Sequence, residues 1–165
     1  MITGGARSGK SRHAQELALK LSHNPVYVAT ARQWDSAFQD RVRRHQQDRD
    51  ERWTSIEEEK FLSRLNLKER TVVIDCVTLW ITNFFVDLRY DIDACLTACK
   101  VEVEGLRGSR ADIIIVTNEI GMGVHAETEV GRKFTDLQGW VNQYIASLAD
   151  EVVLMVSGIA VRIKG

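Results

Sequence analysis

Four short runs rich in Val and Ile, separated by stretches of helical periodicity, constrain the fold of this chain most strongly. The runs are VYVA (26–29), TVVIDC (71–76), DIIIVTN (112–118) and EVVLMVS (151–157). None alternates strictly between apolar and polar residues, which predicts strands buried on both faces. Because strands that alternate with helices are joined by right-handed crossovers, the pattern predicts an α/β fold with a mostly parallel sheet and helices on both faces.

Two of the intervening segments carry an apolar stripe at helical spacing. On the first, which follows residue 10, the stripe consists of Ala14, Leu17, Ala18 and Leu21. On the second, it consists of Val130, Phe134, Leu137, Val141, Tyr144, Ile145 and Leu148. The terminal SGIAVRIKG (157–165) is predicted to return as an antiparallel edge strand, with Gly158 in the turn. With 165 residues and one proline, the chain is expected to form a single domain over residues 1–165.

The charge balance and the hydropathy pattern exclude several classes of protein. Twenty-two Lys and Arg against 23 Asp and Glu give a formal net charge of −1, which argues against a general binder of nucleic acid or anionic membranes. No window approaches the roughly 18 apolar residues of a membrane helix, and the initial MITGGARSGK lacks a signal peptide's apolar region. Three cysteines without a CxxC motif fit a reducing compartment, so we expect a cytoplasmic protein.

Residues 4–11, GGARSGKS, match the pattern of a phosphate-binding loop. In such a loop, glycines let successive N–H groups point at one anion, and the following helix adds its dipole. Lys10 would reach the terminal phosphates of a nucleotide and Ser11 would bind Mg²⁺. The residues predicted to bind the nucleotide phosphates are Gly4, Gly5, Ala6, Arg7, Ser8, Gly9, Lys10 and Ser11. Only three residues precede the loop, which predicts a short first strand.

Polar residues end two of the predicted strands at the edge of the sheet where ligands bind. Asp75 follows VVI, and an Asp or Glu at such a strand end commonly supplies the second oxygen for Mg²⁺. The alternative is that Asp75 caps the next helix, and the sequence favours the metal ligand. Asn118 and Glu119 end the following strand, where they would bind substrate hydroxyls or assist proton transfer, or else form a polar turn.

A basic stretch, DSAFQDRVRRHQQDRDERW, spans residues 35–53. Arg41, His45 and Arg49 are four residues apart, so a helix would place them on one face. In one interpretation this face is exposed to solvent, and a histidine among arginines is most often such a surface residue. In the other, the guanidinium charges disfavour imidazolium and hold a triphosphate, while the neutral ring of His45 attacks phosphorus.

Six segments together resemble the bifunctional adenosylcobinamide kinase / adenosylcobinamide-phosphate guanylyltransferase family. They are GGARSGKS, RVRRHQQDR followed by WTSIEE, IDCVTLWITN, VTNEIGMGV and SGIAVRIK, in that order over nearly the whole chain. The resemblance implies an enzyme of cobalamin nucleotide-loop assembly. Such an enzyme phosphorylates the aminopropanol hydroxyl of adenosylcobinamide, then transfers GMP from GTP to that phosphate through a guanylylated histidine.

The resemblance also assigns roles to residues of this chain. The family's histidine matches His45, flanked by Arg41 and Arg49, and makes it the candidate nucleophile. The family's phosphate loop matches Gly4 to Ser11, its strand-end acid matches Asp75, and its asparagine and acidic pair matches Asn118 and Glu119. Implied partners are adenosylcobinamide and its phosphate, with GTP and ATP as substrates, Mg²⁺ as cofactor and a homotrimer as the assembly.

Two other functions remain consistent with the phosphate loop. The first is a simple small-molecule kinase, in which His45 is only a basic surface residue. The second is a nucleotide-dependent switch or ATPase that uses the loop to drive a conformational change. A guanine-reading Asn-Lys-x-Asp sequence is absent from the chain, which argues against a GTPase switch.

Several remaining residues have ordinary structural interpretations. Cys95 and Cys99 are predicted to be buried core residues rather than metal ligands, since no second ligand pair has suitable spacing. An apolar cluster is formed by Trp80, Phe84 and Phe85. Core or subunit packing is favoured for this cluster over contact with a corrin ring. His125 is predicted to lie on a loop over the substrate, and His13 and His23 on the surface.

Overall fold

The computed structural model describes residues 1–32 and 50–165, which are organised around one β-sheet. The strands in these ranges are β1 Ile2–Gly4, β2 Val26–Ala29, β3 Thr54–Glu57, β4 Thr71–Asp75, β5 Asp112–Val116, β6 Val152–Val156 and β7 Ile159–Lys164. The α-helices in the same ranges are α1 Lys10–Leu21, α2 Val77–Asp87, α3 Ile92–Arg107 and α4 Glu129–Leu148, with a short 3₁₀ turn at Leu62–Arg64.

The sheet has the order β3-β2-β4-β5-β1-β6-β7. Every neighbouring pair is parallel except β6 and β7, so the predicted mostly parallel α/β sheet with an antiparallel edge strand is confirmed. Gly158 takes φ +85° in the β6–β7 turn, where the sequence predicts it. The first strand has three residues, as expected, and lies near the centre of the sheet between β5 and β6.

Helices cover both faces of the sheet. Val72 and Ile74 of β4 pack with the larger core cluster, which includes residues of α2, α3 and α4. Val73 lies on the opposite face, with Ala14 and Ala18 of α1. Adjacent residues of β4 face different layers because side chains alternate along a strand, and both layers are apolar, so this strand shows no polar alternation.

The aromatic cluster of α2 and the two cysteines of α3 are buried, as the sequence predicts. Trp80, Phe84 and Phe85 of α2 are at most 6% exposed, which places this cluster in the core and corrects the alternative of a corrin contact. Cys95 and Cys99 are also buried, and burial raises the pKa of the Cys95 thiol to about 11. Residues 1–32 and 50–165 contain no group of three or more His, Cys, Asp or Glu that could hold a metal ion.

Two ends of the predicted apolar stripes lie outside the core. Leu21 and Val130 are 57% and 43% exposed. Leu21 is the last residue of α1 and Val130 is the second residue of α4, so both lie at a helix end, away from the buried apolar residues of that helix. Within the described ranges, no helix combines the length and apolar character needed to cross a membrane.

Gly4, the last residue of β1, is expected to tolerate no side chain. It takes φ +147°, and an added Cβ would lie 2.5 Å from the backbone oxygen of Met155. We expect Gly4→Ala to lower the free energy of unfolding by roughly 2–4 kcal/mol, because a strained backbone and a clash with β6 add together. Urea unfolding of the parent and the variant would measure this loss of stability. Gly5→Ala is the control, since its Cβ meets nothing within 4 Å; equal losses in the two variants would contradict the steric explanation.

Candidate functional site

The glycine-rich segment 4–11 forms a tight loop between β1 and α1. The Ser8 N–H donates to the Gly5 carbonyl (3.3 Å), and Gly9, at φ +96°, is the N-cap of α1. The β6–β7 turn packs against the loop, because the Gly158 N–H donates to the Ser8 carbonyl (3.0 Å). The loop is therefore held at the carboxyl edge of a central strand, which is where parallel α/β sheets bind ligands.

Lys10 is buried beneath this loop. Its Nζ donates to the Gly5 carbonyl at 2.6 Å and lies 3.5 Å from the Ser8 hydroxyl, and the residue is only 7% exposed. Burial lowers the pKa of Lys10, whereas the nearby Asp75 carboxylate favours its charged form. The amine is thus aimed into the loop, where an anionic ligand would compensate its desolvation.

Asp75 ends β4 next to Lys10 and is held by a hydrogen bond across the sheet. The Tyr27 hydroxyl of β2 donates to Asp75 Oδ2 (2.9 Å), and Tyr27 is 4% exposed. The N-cap of α2 is Cys76, so Asp75 does not cap that helix. The half-buried carboxylate remains beside the phosphate loop, which suits an oxygen ligand of a cation.

Asn118 and Glu119 follow β5 and run beside β1. The Glu119 N–H donates to the Gly4 carbonyl (3.0 Å), which joins this segment to the start of the phosphate loop. Asn118 Nδ2 donates to Thr78 Oγ1 (3.0 Å), and Glu119 Oε1 accepts from the Gly121 N–H (2.9 Å). Both side chains make local hydrogen bonds and are half-buried at the same edge as Lys10.

A buried polar network supports this segment from α4. Asn142 Nδ2 donates to the Asn118 carbonyl (3.0 Å), and its Oδ1 accepts from the Thr117 hydroxyl (2.7 Å) and from Gln138 Nε2 (3.0 Å). Gln138 also donates to Thr117 Oγ1 (3.0 Å). Because these polar groups are buried and bonded to one another, they fix the path of the chain where β5 ends.

The structure brings together all the predicted site residues that it describes. The phosphate loop, Asp75, and the Asn118–Glu119 pair converge at the carboxyl edge of β1, β4 and β5. The remaining three, Arg41, His45 and Arg49, lie outside the described residues. His23 is exposed on the surface, as predicted. His125 is exposed on the loop that follows Glu119.

Sequence reasoning missed Tyr27 and the network around Asn142. Tyr27 lies in VYVA, where the sequence pattern does not distinguish it from the other apolar residues of a buried strand. Because side chains alternate along a strand, Tyr27 lies on the opposite face of β2 from Val26 and Val28. This alternation was the only sequence signal that could have separated Tyr27 from its apolar neighbours. Asn142 and Gln138 are polar residues on the otherwise apolar face of α4, a pattern that predicts a buried hydrogen-bond network.

The glycine loop, the buried lysine and the strand-end aspartate define an α/β protein of the phosphate-loop class. Comparison with known protein families identifies a particular family within this class. Residues 1–163 match the family CobU, described as cobinamide kinase / cobinamide phosphate guanyltransferase. The chain therefore belongs to this family of bifunctional enzymes.

Curated bacterial proteins are similar over their full length. The bifunctional adenosylcobalamin biosynthesis protein CobU of Escherichia coli (strain K12) is 38% identical, with 99% of this chain and 98% of that protein covered. The protein of the same name from Salmonella typhimurium is 35% identical over the same shares. The bifunctional adenosylcobalamin biosynthesis protein CobP of Pseudomonas aeruginosa is 35% identical, covering 100% of this chain and 96% of that protein.

Proposed function

We propose that this chain, as one domain, catalyses two successive steps on one corrinoid substrate. It first phosphorylates the aminopropanol hydroxyl of adenosylcobinamide, with ATP or GTP as the donor. It then transfers GMP from GTP to that phosphate, giving adenosylcobinamide-GDP and pyrophosphate. The observation that carries the proposal is a complete phosphate loop, with Lys10 and Asp75 at its base, in a chain whose residues 1–163 match the family.

In the first step, the loop N–H groups and Lys10 hold the nucleotide phosphates. Lys10 neutralises charge that develops as the bond from the γ-phosphorus to its bridging oxygen breaks. The substrate hydroxyl oxygen forms the new bond to phosphorus, and Glu119 accepts the hydroxyl proton. Asn118 orients the substrate beside Glu119. In support, both residues lie where β5 ends, and the Glu119 N–H bonds the Gly4 carbonyl.

Mg²⁺ is the cofactor that we propose for both steps, with Ser11 and Asp75 as its protein ligands. A hydroxyl and a carboxylate are the hard oxygen donors that Mg²⁺ prefers, and Asp75 is held in place by Tyr27. When bound, Mg²⁺ would neutralise phosphate charge.

In the second step, His45 is the nucleophile. Its ring nitrogen attacks the α-phosphorus of GTP, the bond to pyrophosphate breaks, and a phosphoramidate forms. An oxygen of the substrate phosphate then attacks the same phosphorus, and breaking the P–N bond releases free histidine. Arg41 and Arg49 bind the triphosphate beside it. Support for these three roles comes from their spacing and from the family resemblance.

We also propose a homotrimer that acts in the cytoplasm. The trimer rests on the family resemblance, and β7 offers an exposed apolar row for a subunit contact, formed by Ile159, Val161 and Ile163. The cytoplasmic location is supported by Cys76, Cys95 and Cys99, which are buried free thiols.

The test is product analysis with purified protein, Mg²⁺, adenosylcobinamide and either ATP or GTP. We expect adenosylcobinamide phosphate with a phosphoryl donor, and adenosylcobinamide-GDP only when GTP is present. If adenosylcobinamide phosphate is the only product in the presence of GTP, the protein is a simple kinase and not a guanylyltransferase. Nucleotide hydrolysis without any corrinoid product, stimulated by a protein partner, would instead favour a switch or ATPase.

Removing the Tyr27 hydroxyl is expected to weaken the Mg²⁺ site. In Tyr27→Phe, Asp75 loses the hydrogen bond that orients its carboxylate, so the Mg²⁺ concentration for half-maximal phosphorylation should rise about 10-fold. Titration of the initial rate with Mg²⁺ would measure this. Tyr90→Phe is the matched control, because Tyr90 is exposed in the turn between α2 and α3. An unchanged Mg²⁺ dependence in Tyr27→Phe would contradict the positioning role.

A further inference from the structure

The loop that follows β5 starts beside the phosphate loop and exposes two large apolar side chains. Met122 is 81% exposed and Val124 is 98% exposed, more than any other large apolar residue that the structure describes. We call residues 120–126 the rim loop. Isolated apolar residues are common on protein surfaces, but two on one short loop at the edge of a binding site call for a physical explanation.

Both ends of the rim loop are fixed by hydrogen bonds. At its start, the Glu119 N–H donates to the Gly4 carbonyl (3.0 Å), so the loop leaves the sheet next to the phosphate loop. At its end, Arg132 Nη1 donates to the carbonyls of Ala126 (3.1 Å) and Glu127 (2.8 Å). Because the base is anchored, Met122 and Val124 are presented to solvent at the carboxyl edge.

The substrate's chemistry fits this surface. Cobinamide joins a large macrocycle, with methyl groups on its ring, to a short aminopropanol arm that carries the reacting oxygen. Only the aminopropanol arm has to reach Lys10. The macrocycle must therefore lie outside the narrow phosphate loop, against the surface that surrounds it. The described residues at the base of the site are mostly polar, among them Lys10, Asp75 and Glu119, and offer the ring little apolar contact.

We propose that Met122 and Val124 form an apolar contact for the corrin ring and hold it beside the phosphate loop while the aminopropanol arm enters the site. This inference rests on the proposed function and assigns that site its substrate-binding surface. Strands β5 and β1 are parallel neighbours, so the rim loop and the phosphate loop, which follow them, begin side by side at one edge of the sheet.

The test compares two double variants. Met122→Ser/Val124→Ser removes the proposed contact, and Leu21→Ser/Val101→Ser removes two exposed apolar side chains, 57% and 64% exposed, on α1 and α3. Equilibrium dialysis with adenosylcobinamide phosphate, read by corrin absorbance, gives the Kd. We expect Kd to rise about 10–100-fold in the rim-loop variant and to stay unchanged in the control, because the ring loses two apolar contacts.

Two further readouts make each outcome decisive. GMP adduct formation from GTP and the elution volume in size-exclusion chromatography should match the parent, since neither needs the corrin ring. An unchanged Kd in the rim-loop variant overturns the inference, and so does a weaker Kd that accompanies a changed elution volume, which would make the loop a subunit contact. Failure of the parent itself to bind the corrinoid would instead overturn the proposed function.

Discussion

Replacing His45 by alanine is expected to abolish the covalent GMP adduct that we propose the parent protein forms with GTP and Mg²⁺. The adduct requires a nucleophilic nitrogen, and the loss of that nitrogen leaves no group to form the P–N bond, so the rate of guanylylation should fall at least about 1,000-fold. Intact-mass measurement after incubation with GTP would show a gain of one GMP unit in the parent only. Loss of that mass in acid and its survival in alkali would identify a phosphoramidate.

His125→Ala is the control for this experiment. His125 is exposed on the rim loop, which leaves the sheet next to the phosphate loop, and is therefore one competing histidine. We expect His125→Ala to keep the full adduct. An adduct that persists in His45→Ala and disappears in His125→Ala would move the nucleophile to the rim loop, and a parent without any adduct would favour the simple kinase.

The parallel sheet could be predicted because its strands are buried on both faces. β2, β4, β5 and β6 coincide with runs of Val and Ile, and the order of strands and helices restricts their connections. Strand β3 was missed because TSIE contains one apolar residue and lies at the sheet edge. Its pairing with β2 uses backbone hydrogen bonds, which leave little trace in the side-chain pattern.

The candidate site was predictable where function depends on local sequence. A phosphate loop needs glycines, a lysine and a serine at fixed spacing, so Gly4 to Ser11 could be recognised without the fold. The Tyr27–Asp75 hydrogen bond joins residues 48 positions apart and depends on the register of β2 against β4. No local pattern encodes such a contact. For Asn142, the apolar face of α4 indicates that its side chain is buried and hydrogen-bonded, but not that its partner is the Asn118 carbonyl.

Lys10→Met is expected to reduce the rate of cobinamide phosphorylation about 100–1,000-fold. Methionine keeps an unbranched apolar stem in the buried position but removes the charge that we propose faces the transferred phosphoryl group. In the parent, Nζ already donates to the Gly5 carbonyl at the base of the loop (2.6 Å), so the amine needs little movement to meet a phosphate. Initial rates of nucleoside diphosphate release in the presence of adenosylcobinamide would measure the loss.

Lys20→Met is the matched control, since Lys20 is exposed in the last turn of the same helix and should keep the parent rate. Thermal unfolding of both variants separates a catalytic loss from a destabilised fold. His45→Ala completes the comparison, because the proposed phosphorylation step does not use the histidine and the phosphorylation rate of this variant should equal that of the parent. A phosphorylation rate that survives in Lys10→Met but falls in His45→Ala would reverse the two roles, and would place the phosphoryl donor against the basic segment rather than in the glycine loop.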